Sequence, residues 1–583
     1  MSSESSLPFL YPDQSEFTLL RRRSGLYIDK THHVLSLLAS TNRDPSLLNN
    51  KYVFLARPRG FGKSLLVTTL EAFFQGEVPI DSRYLNGYSP EPILSKAELF
   101  RGTAAADTVE SRGFHPVIRL NMTNIPSDTP ERLKTNLLEM LGDQYTLWNR
   151  RGIDVGLKPI NESGVVRFPS DPVVSPAQRL EDLVGQLKAR YGANPVVLVD
   201  EYDAPLMHLL DRKTDPEPIL DILRNFYVRL KSLESDLHFV FVTGITRFTH
   251  SSAFSGLNNL WDISWDPAYA TLCGFTEREV QTTLHPHLAQ AAAHLDLSLE
   301  DFMDKVRRQY NGYHFSLPDH NESVYNPFTL ACCLRDLQNP DNAAWVKVTG
   351  WPNHWAVSGN SMFLIRLMQE GQYLLPADPP PWDSLMRTAY SLDRVDFVSL
   401  MFQTGYYTLC QDTDGDLYLD YPNDEVRRTY SHELLETYRQ PPDPRTLRAM
   451  HRALSDENYR KFRDLLHTFL AGIPGEKLRH ETDCHLVLHV LCQLMQMEFL
   501  SEVHQGGGRS DMEVRFPGHV CVMEFKYGES PQAALDQIRS HDYGRRHFGG
   551  SRRVVALGLN FVPGNGTEPP AVEHAVCVRY RPE

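Results

Sequence analysis

A short apolar run, Tyr52-Val53-Phe54-Leu55-Ala56, leads through Arg57-Pro58-Arg59-Gly60-Phe61-Gly62-Lys63-Ser64 into a helix-like run from Leu65 to Phe74. Strand, glycine-bearing turn, Gly-Lys-Ser, helix is the layout of a phosphate-binding loop. It constrains the fold more than any other feature of the chain. Free N–H groups at a helix N-terminus point outward and carry partial positive charge. Gly60 and Gly62 would let that backbone approach a phosphate with no side chain between. Lys63 would reach the β- and γ-phosphates of a nucleoside triphosphate, and the Ser64 hydroxyl would hold Mg²⁺. The usual pattern has glycine five positions before Gly62, where this chain has Arg57. The competing reading is a basic turn ahead of a core helix.

A second segment favours the loop. Pro195-Val196-Val197-Leu198-Val199 is continuous, apolar and rich in β-branched residues, as a parallel strand buried on both faces should be. It ends in Asp200-Glu201, where α/β sheets place ligands. Asp200 would bind Mg²⁺ directly or through water, and Glu201 would orient or deprotonate the attacking water. A further apolar run, Phe239–Thr243, ends in a polar residue placed to sense a γ-phosphate. Arg247, just beyond, would stabilise transition-state charge or serve in a structural salt bridge.

Residues up to about 270 alternate such runs (Val53–Ala56, Val117–Leu120, Val196–Val199, Phe239–Thr243) with helical stretches, which predicts a parallel sheet with crossover helices. Pro286 to about Arg439 reads as mostly helical, broken by joints such as Asp378-Pro379-Pro380-Pro381. Within it, Tyr406–Leu409, an Asp412–Gly415 turn and Leu417–Leu419 read as a β-hairpin, a winged-helix-like lid. Gln440-Pro441-Pro442-Asp443-Pro444 is the best linker candidate. There is no internal repeat.

The last region carries a second acidic and basic set. Gly506-Gly507-Gly508-Arg509-Ser510-Asp511 precedes Val520-Cys521-Val522-Met523-Glu524-Phe525-Lys526. Alternate side chains of a strand share a face, so Glu524 and Lys526 point one way, a hairpin away from Asp511. Asp511 and Glu524 would hold a hard divalent cation, and Lys526 would orient or deprotonate the water that attacks a phosphodiester. Glu481 and Glu502 would complete the metal shell, with Gln537 and Tyr543 on a flanking helix. An acid and a lysine on an exposed edge strand are the competing reading.

Composition narrows the classes. The 583 residues suffice for two to four domains, and 41% hydrophobic with 23% charged is ordinary for a globular protein. No apolar run approaches the roughly 20 residues that span a bilayer. The opening Met-Ser-Ser-Glu-Ser-Ser lacks the pattern of a signal peptide. These features predict no membrane partner and an intracellular protein of cytoplasm or nucleus. Eight scattered cysteines without a Cys-x-x-Cys pair read as reduced thiols rather than a zinc ribbon. A net charge of −14 argues against a broad electrostatic grip on nucleic acid and leaves only a local basic groove.

Tyr27-Ile28-Asp29-Lys30-Thr31, the Arg57–Ser64 loop and Leu198-Val199-Asp200-Glu201-Tyr202-Asp203-Ala204-Pro205-Leu206 resemble the AAA-ATPase-like family. These are P-loop proteins often fused to a C-terminal PD-(D/E)XK nuclease-like domain. Gly244–Phe248, Leu257–Asp262, Leu272–Glu277, Tyr310–Phe315 and Tyr325–Phe328 extend the resemblance over most of the chain. In that family the loop typically carries Arg at the position of Arg57. Glu481, Asp511, Glu524 and Lys526 likewise fall in the positions of the PD-(D/E)XK superfamily. The resemblance implies an α/β fold: a P-loop NTPase parallel sheet with helices on both faces over 1–275, a helical, winged-helix-like region over 276–440, and a nuclease-like domain over 445–583. It implies ATP and Mg²⁺ as cofactors, ATP hydrolysis, and a Mg-dependent nuclease-like domain acting on DNA or RNA. The alternative is a nucleotide-regulated switch or interaction protein whose rear domain is catalytically inactive. A degenerate mobile-element remnant is a third reading. The resemblance leaves an oligomer open, since P-loop ATPases often complete a site with a neighbour's arginine.

Overall fold

The computed structural model describes residues 7–39, 50–81, 92–123, 125–153, 165, 174–207, 215–247, 259–318, 322–355, 382, 396–412, 414–505, 508–548, 552–564 and 569–577. Phe248, Leu257, Asn258, Gly506, Gly507, residues 378–381 and the Glu502 side chain, all named above, lie outside the described residues. The chain divides into two compact units, Met1–Gly359 with Trp382–Asn423, and Asn360–Pro381 with Asp424–Glu583.

The first unit is built on five parallel-paired strands: β1 (Tyr52–Ala56), β2 (Val117–Asn121), β3 (Val196–Asp200), β4 (Phe239–Gly244) and β5 (Trp261–Asp262), ordered β2-β3-β4-β1-β5. The four apolar runs expected as strands are β1 to β4. β3 and β4 are buried throughout and β1 nearly so, which is why those runs do not alternate, while β2 leaves Arg119 half-buried and Asn121 exposed. Tyr52, Phe54, Ile118, Leu120, Val197, Val199, Val240 and Val242 pack on one face with the helices Pro130–Arg150, Pro176–Tyr191 and Glu217–Ser232. The Lys63–Gln75 helix lies against β2, β3 and β4 on the other face, where Phe74 meets Phe239 at 5.6 Å between ring centroids. Because β4 sits between β1 and β3, and all run the same way, the ends of β1 and β3 flank the end of β4.

A second core in this unit joins the helices His285–His294, Leu299–Tyr310 and Pro327–Leu337. Two short antiparallel ladders accompany it: β6 (Phe275–Thr276) with β7 (Val324–Tyr325), and β8 (Thr408–Gln411) with β9 (Leu417–Asp420). The latter is the hairpin expected from its Asp/Gly turn. The Asp412 carboxylate accepts from the Asp414 and Asp416 amides at 2.9 and 2.8 Å.

The second unit holds a mixed five-stranded sheet in sequential order: β10 (Glu498–Gln505), β11 (Gly508–Arg515), β12 (His519–Tyr527), β13 (Arg553–Val562) and β14 (Ala571–Cys577). Only β12 and β13 pair in parallel, and the Pro531–Ser540 helix crosses between them. The Glu481–Leu494 helix precedes β10. None of the eight cysteines is joined in a disulfide. Among the described residues no helix is long and apolar enough to cross a membrane.

Candidate functional site

The chain leaves β1 through Arg57, whose amide still bonds to the Gly244 carbonyl of β4 at 3.1 Å. Gly60 (φ 79°) and Gly62 (φ 85°) then turn through the left-handed region, where glycine carries no Cβ penalty. Gly62 caps the Lys63–Gln75 helix, and a Cβ there would meet nothing within 4 Å among the described residues. Lys63 is nonetheless buried. Its ammonium lies 3.2 Å from the Pro58 carbonyl and 3.3 Å from a Glu201 carboxylate oxygen.

Asp200 ends β3 and is 3% exposed. Burial pushes its carboxyl up, a hydrogen bond with the Ser64 side chain opposes this, Glu201 raises it further and Lys63 lowers it. Its Oδ1 is buried with no hydrogen-bond partner among the described residues. Glu201, next in the chain, has φ 50°, an uncommon backbone conformation for a residue with a side chain. The structure therefore brings Lys63, Ser64, Asp200 and Glu201 together.

Three other residues of the expected set are engaged elsewhere. The Arg57 guanidinium turns into the protein. Nη1 donates to the Ala56 and Ser264 carbonyls at 2.9 and 2.6 Å, and Nη2 donates to the Tyr269 carbonyl at 3.1 Å. The group also lies over the Phe315 ring at 4.1 Å. Burial brings its pKa down to about 10, still charged at neutral pH. The Thr243 hydroxyl donates to the Leu55 carbonyl at 2.7 Å, inside the sheet. Arg247 pairs with Asp262 of β5, and its amide donates to the Gln403 side chain at 2.8 Å. A cleft bordered by Pro58, Arg247, Trp265, His314 and Phe402 opens beside the first loop residues.

In the second unit, Met512 of β11 pairs with Met523 of β12, so Asp511 stands across from Glu524 one step further along. An Asp511 oxygen accepts from the Phe525 amide at 2.6 Å, and a Glu524 oxygen accepts from the Asp511 amide at 3.4 Å. Lys526 Nζ donates to the Phe525 carbonyl at 2.9 Å and lies 3.7 Å from Glu524 Oε1. Glu524 is 1% exposed, and its pKa is pushed up to about 8, first by burial and then by Asp511; Glu481 adds to the rise and Lys526 opposes it. Glu481 opens the Glu481–Leu494 helix within electrostatic reach of Glu524. Among the described residues no three His, Cys, Asp or Glu side chains form a metal-holding group.

Residues 14–254 match the model of the AAA-ATPase-like family, described as a predicted AAA-ATPase. That segment spans β1 to β4, the phosphate-type loop and both acids at the end of β3. The chain is also similar to a curated protein of Azotobacter chroococcum mcd 1, "Uncharacterized protein in vnfD 5'region", at 29% identity over 553 residues and 92% of each chain. The similarity to that relative therefore runs well past the segment matched by the family model and through most of both units.

Three residues take structural roles at the site that the sequence alone did not assign. Asp203, buried at 1% exposure, accepts from the Ile245 and Thr246 amides at 3.1 and 2.6 Å and from the Thr246 hydroxyl at 2.5 Å. It ties the turn after β3 to the turn after β4. Tyr202 reinforces this by donating to the Thr246 carbonyl at 2.7 Å. Asn326, which caps the Pro327–Leu337 helix, reaches the Arg59 carbonyl of the loop at 3.1 Å. Its Asn-Pro pair is a helix-start signal, but nothing local announces a partner 267 residues away.

Proposed function

We propose that the first unit binds ATP with Mg²⁺ and hydrolyses the γ-phosphate bond. The observation that carries this reading is the convergence of Lys63, Ser64, Asp200 and Glu201 where a glycine-bearing turn meets a helix N-terminus. Helix amides would receive phosphate oxygens. Lys63, now beside a carbonyl and a carboxylate oxygen, would exchange them for oxygens of the β- and γ-phosphates. The unpartnered Asp200 oxygen and the Ser64 hydroxyl are hard oxygen donors, a set that suits Mg²⁺. When bound, the ion supplies charge neutralisation along the phosphate chain. Glu201, released from Lys63, would orient or deprotonate water. Arg247 would act on phosphate only by leaving Asp262.

Calorimetric titration with Mg-ATP tests the reading. Lys63→Ala should weaken binding by at least about tenfold, the loss of one charge-assisted contact. Glu201→Gln should retain binding and lose turnover by about 10²-fold. An unchanged affinity in Lys63→Ala would remove the loop assignment.

For the second unit the reading is a PD-(D/E)XK nuclease-like domain that acts on DNA or RNA with Mg²⁺ held by Asp511, Glu524 and Glu481. Its support is the order helix, β10, β11, β12, helix, β13, together with the Asp511–Glu524–Lys526 grouping. Two observations favour the alternative of a binding domain without cleavage: Lys526 is committed to the Phe525 carbonyl, and no three-ligand metal group forms among the described residues. Mg-dependent cutting of a labelled duplex by wild type, Asp511→Ala and Lys526→Ala separates the two. Equal products from all three proteins would leave only the binding reading.

A further inference from the structure

The loop is held in part from outside itself. Asn326 lies 1% exposed at the start of the Pro327–Leu337 helix. Its Oδ1 caps that helix, accepting from the Phe328 and Thr329 amides at 3.0 and 3.3 Å. Its Nδ2 donates to the Arg59 carbonyl at 3.1 Å, and the Phe328 amide also donates to the Gly60 carbonyl at 3.2 Å. Two consecutive loop carbonyls are therefore turned toward one helix N-terminus. In a planar trans peptide the N–H points opposite to the carbonyl. The Gly60 and Phe61 amides, partners of those two carbonyls, are aimed to the far side. The approach is close: a Cβ on Gly60 would stand 2.7 Å from Asn326 Oδ1 and 3.1 Å from the Phe328 Cβ. Phe61 is pinned from the same quarter, edge-on to Tyr313 and Phe315 at 4.8 and 5.0 Å.

We infer that Asn326 is a positioning residue for phosphate binding: its amide group clamps the 59–60 peptide so that the loop amides present themselves before any phosphate arrives. This rests on the reading of Arg57–Ser64 as a phosphate loop. The one side chain does two separable jobs. Its oxygen serves the helix and its nitrogen serves the loop. Aspartate caps a helix as well as asparagine does, but has no hydrogen to give the Arg59 carbonyl. Serine also caps and is too short to reach the loop. A residue that only capped its helix would be replaced by either without consequence for a nucleotide.

The experiment compares full-length wild type, Asn326→Asp and Asn326→Ser by thermal melting without nucleotide, Mg-ATP titration and steady-state ATPase kinetics. We expect Asn326→Ser to melt close to wild type and Asn326→Asp to melt lower, because its carboxylate is buried against the Arg59 carbonyl; both should bind ATP about tenfold more weakly, with the loss in KM while kcat at saturation stays near wild type. Wild-type affinity in both variants would overturn the inference. So would an affinity loss that only follows a lowered melting temperature and is absent in whichever variant melts normally. A wild-type protein that takes up no ATP would remove the phosphate-loop reading itself, and this inference with it.

Discussion

Asp203 carries three donors on one carboxylate; Oδ2 accepts from all three, and Oδ1 shares the Ile245 amide at 3.3 Å. Asparagine in the same rotamer would keep an acceptor there; alanine would leave two amides and a hydroxyl buried with nothing to accept them. Asp203→Ala should therefore cost about 3 kcal/mol or more in urea unfolding, and Asp203→Asn about 1 kcal/mol. Equal losses would mean that charge, not acceptance, is what the site needs. Arg57 poses a parallel question. Three carbonyls and an aromatic face fit a planar fork, and a lysine ammonium cannot reproduce that arrangement. Arg57→Lys should destabilise by roughly 2 kcal/mol by the same measurement. The arginine at the position of the missing glycine was visible in the sequence. Its role was not, because Ser264 and Tyr269 lie more than two hundred residues downstream and a carbonyl partner leaves no mark on residue identity.

At the scale of elements, the sequence was most legible where burial is two-sided. β1, β3 and β4 are nearly continuous apolar runs, β2 is interrupted by Arg119, and each became a strand close to its expected ends. β5 is only two residues long, Trp261–Asp262, and no period of two can show itself in so few. Its place beside β1 matters, since Asp262 is what holds Arg247. In the second unit the alternation in β12 placed Glu524 and Lys526 on one side, but only the β11–β12 register puts Asp511 opposite Glu524. Two acids in that position repel. Glu524 holds its proton well above the ordinary carboxylate range, so the folded state binds more protons than the unfolded chain between about pH 4.5 and 8. The stability this contributes is complete below the unfolded pKa and is lost as pH rises through the folded one. Glu524→Gln should thus be near neutral at pH 5 and stabilise by on the order of 1 kcal/mol at pH 9. Urea melts at the two pH values check it, and a stabilisation independent of pH would contradict the burial of a titrating carboxyl. The helix that crosses between β12 and β13 makes a further demand. A Cβ on Gly558 would come within 2.3 Å of the Pro531 carbonyl, so Gly558→Ala should push the Pro531–Ser540 helix off the sheet and destabilise this unit by about 2 kcal/mol.

Over the whole molecule the opposite sign dominates among histidines. Burial holds His33 at about 4 and His238 at about 3 in the first unit, and His489 at about 3 in the second. All three stay neutral in the folded protein where the unfolded chain, with a pKa near 6.5, takes up protons. Their contribution is intact above pH 6.5 and declines as pH falls from there toward the folded values. His238 is the clearest case. It stacks on His115 at 3.7 Å and meets Phe74 edge-on, with Lys51 and Arg112 adding positive charge nearby. A proton on His238 would face the His115 ring and both cations. The seven tryptophans, Trp148, Trp261, Trp265, Trp345, Trp351, Trp355 and Trp382, all belong to the first unit. Tryptophan emission during an acid titration therefore follows that unit alone, while far-ultraviolet circular dichroism follows both. His238→Phe keeps an aromatic ring in the stack and removes the proton-binding group. It should move the acid midpoint of tryptophan emission to lower pH by several tenths of a unit. His489→Gln should leave that midpoint where it is and alter only the dichroism transition. Identical emission midpoints in wild type and His238→Phe would place the first unit's acid sensitivity elsewhere, with His33 the next residue to replace.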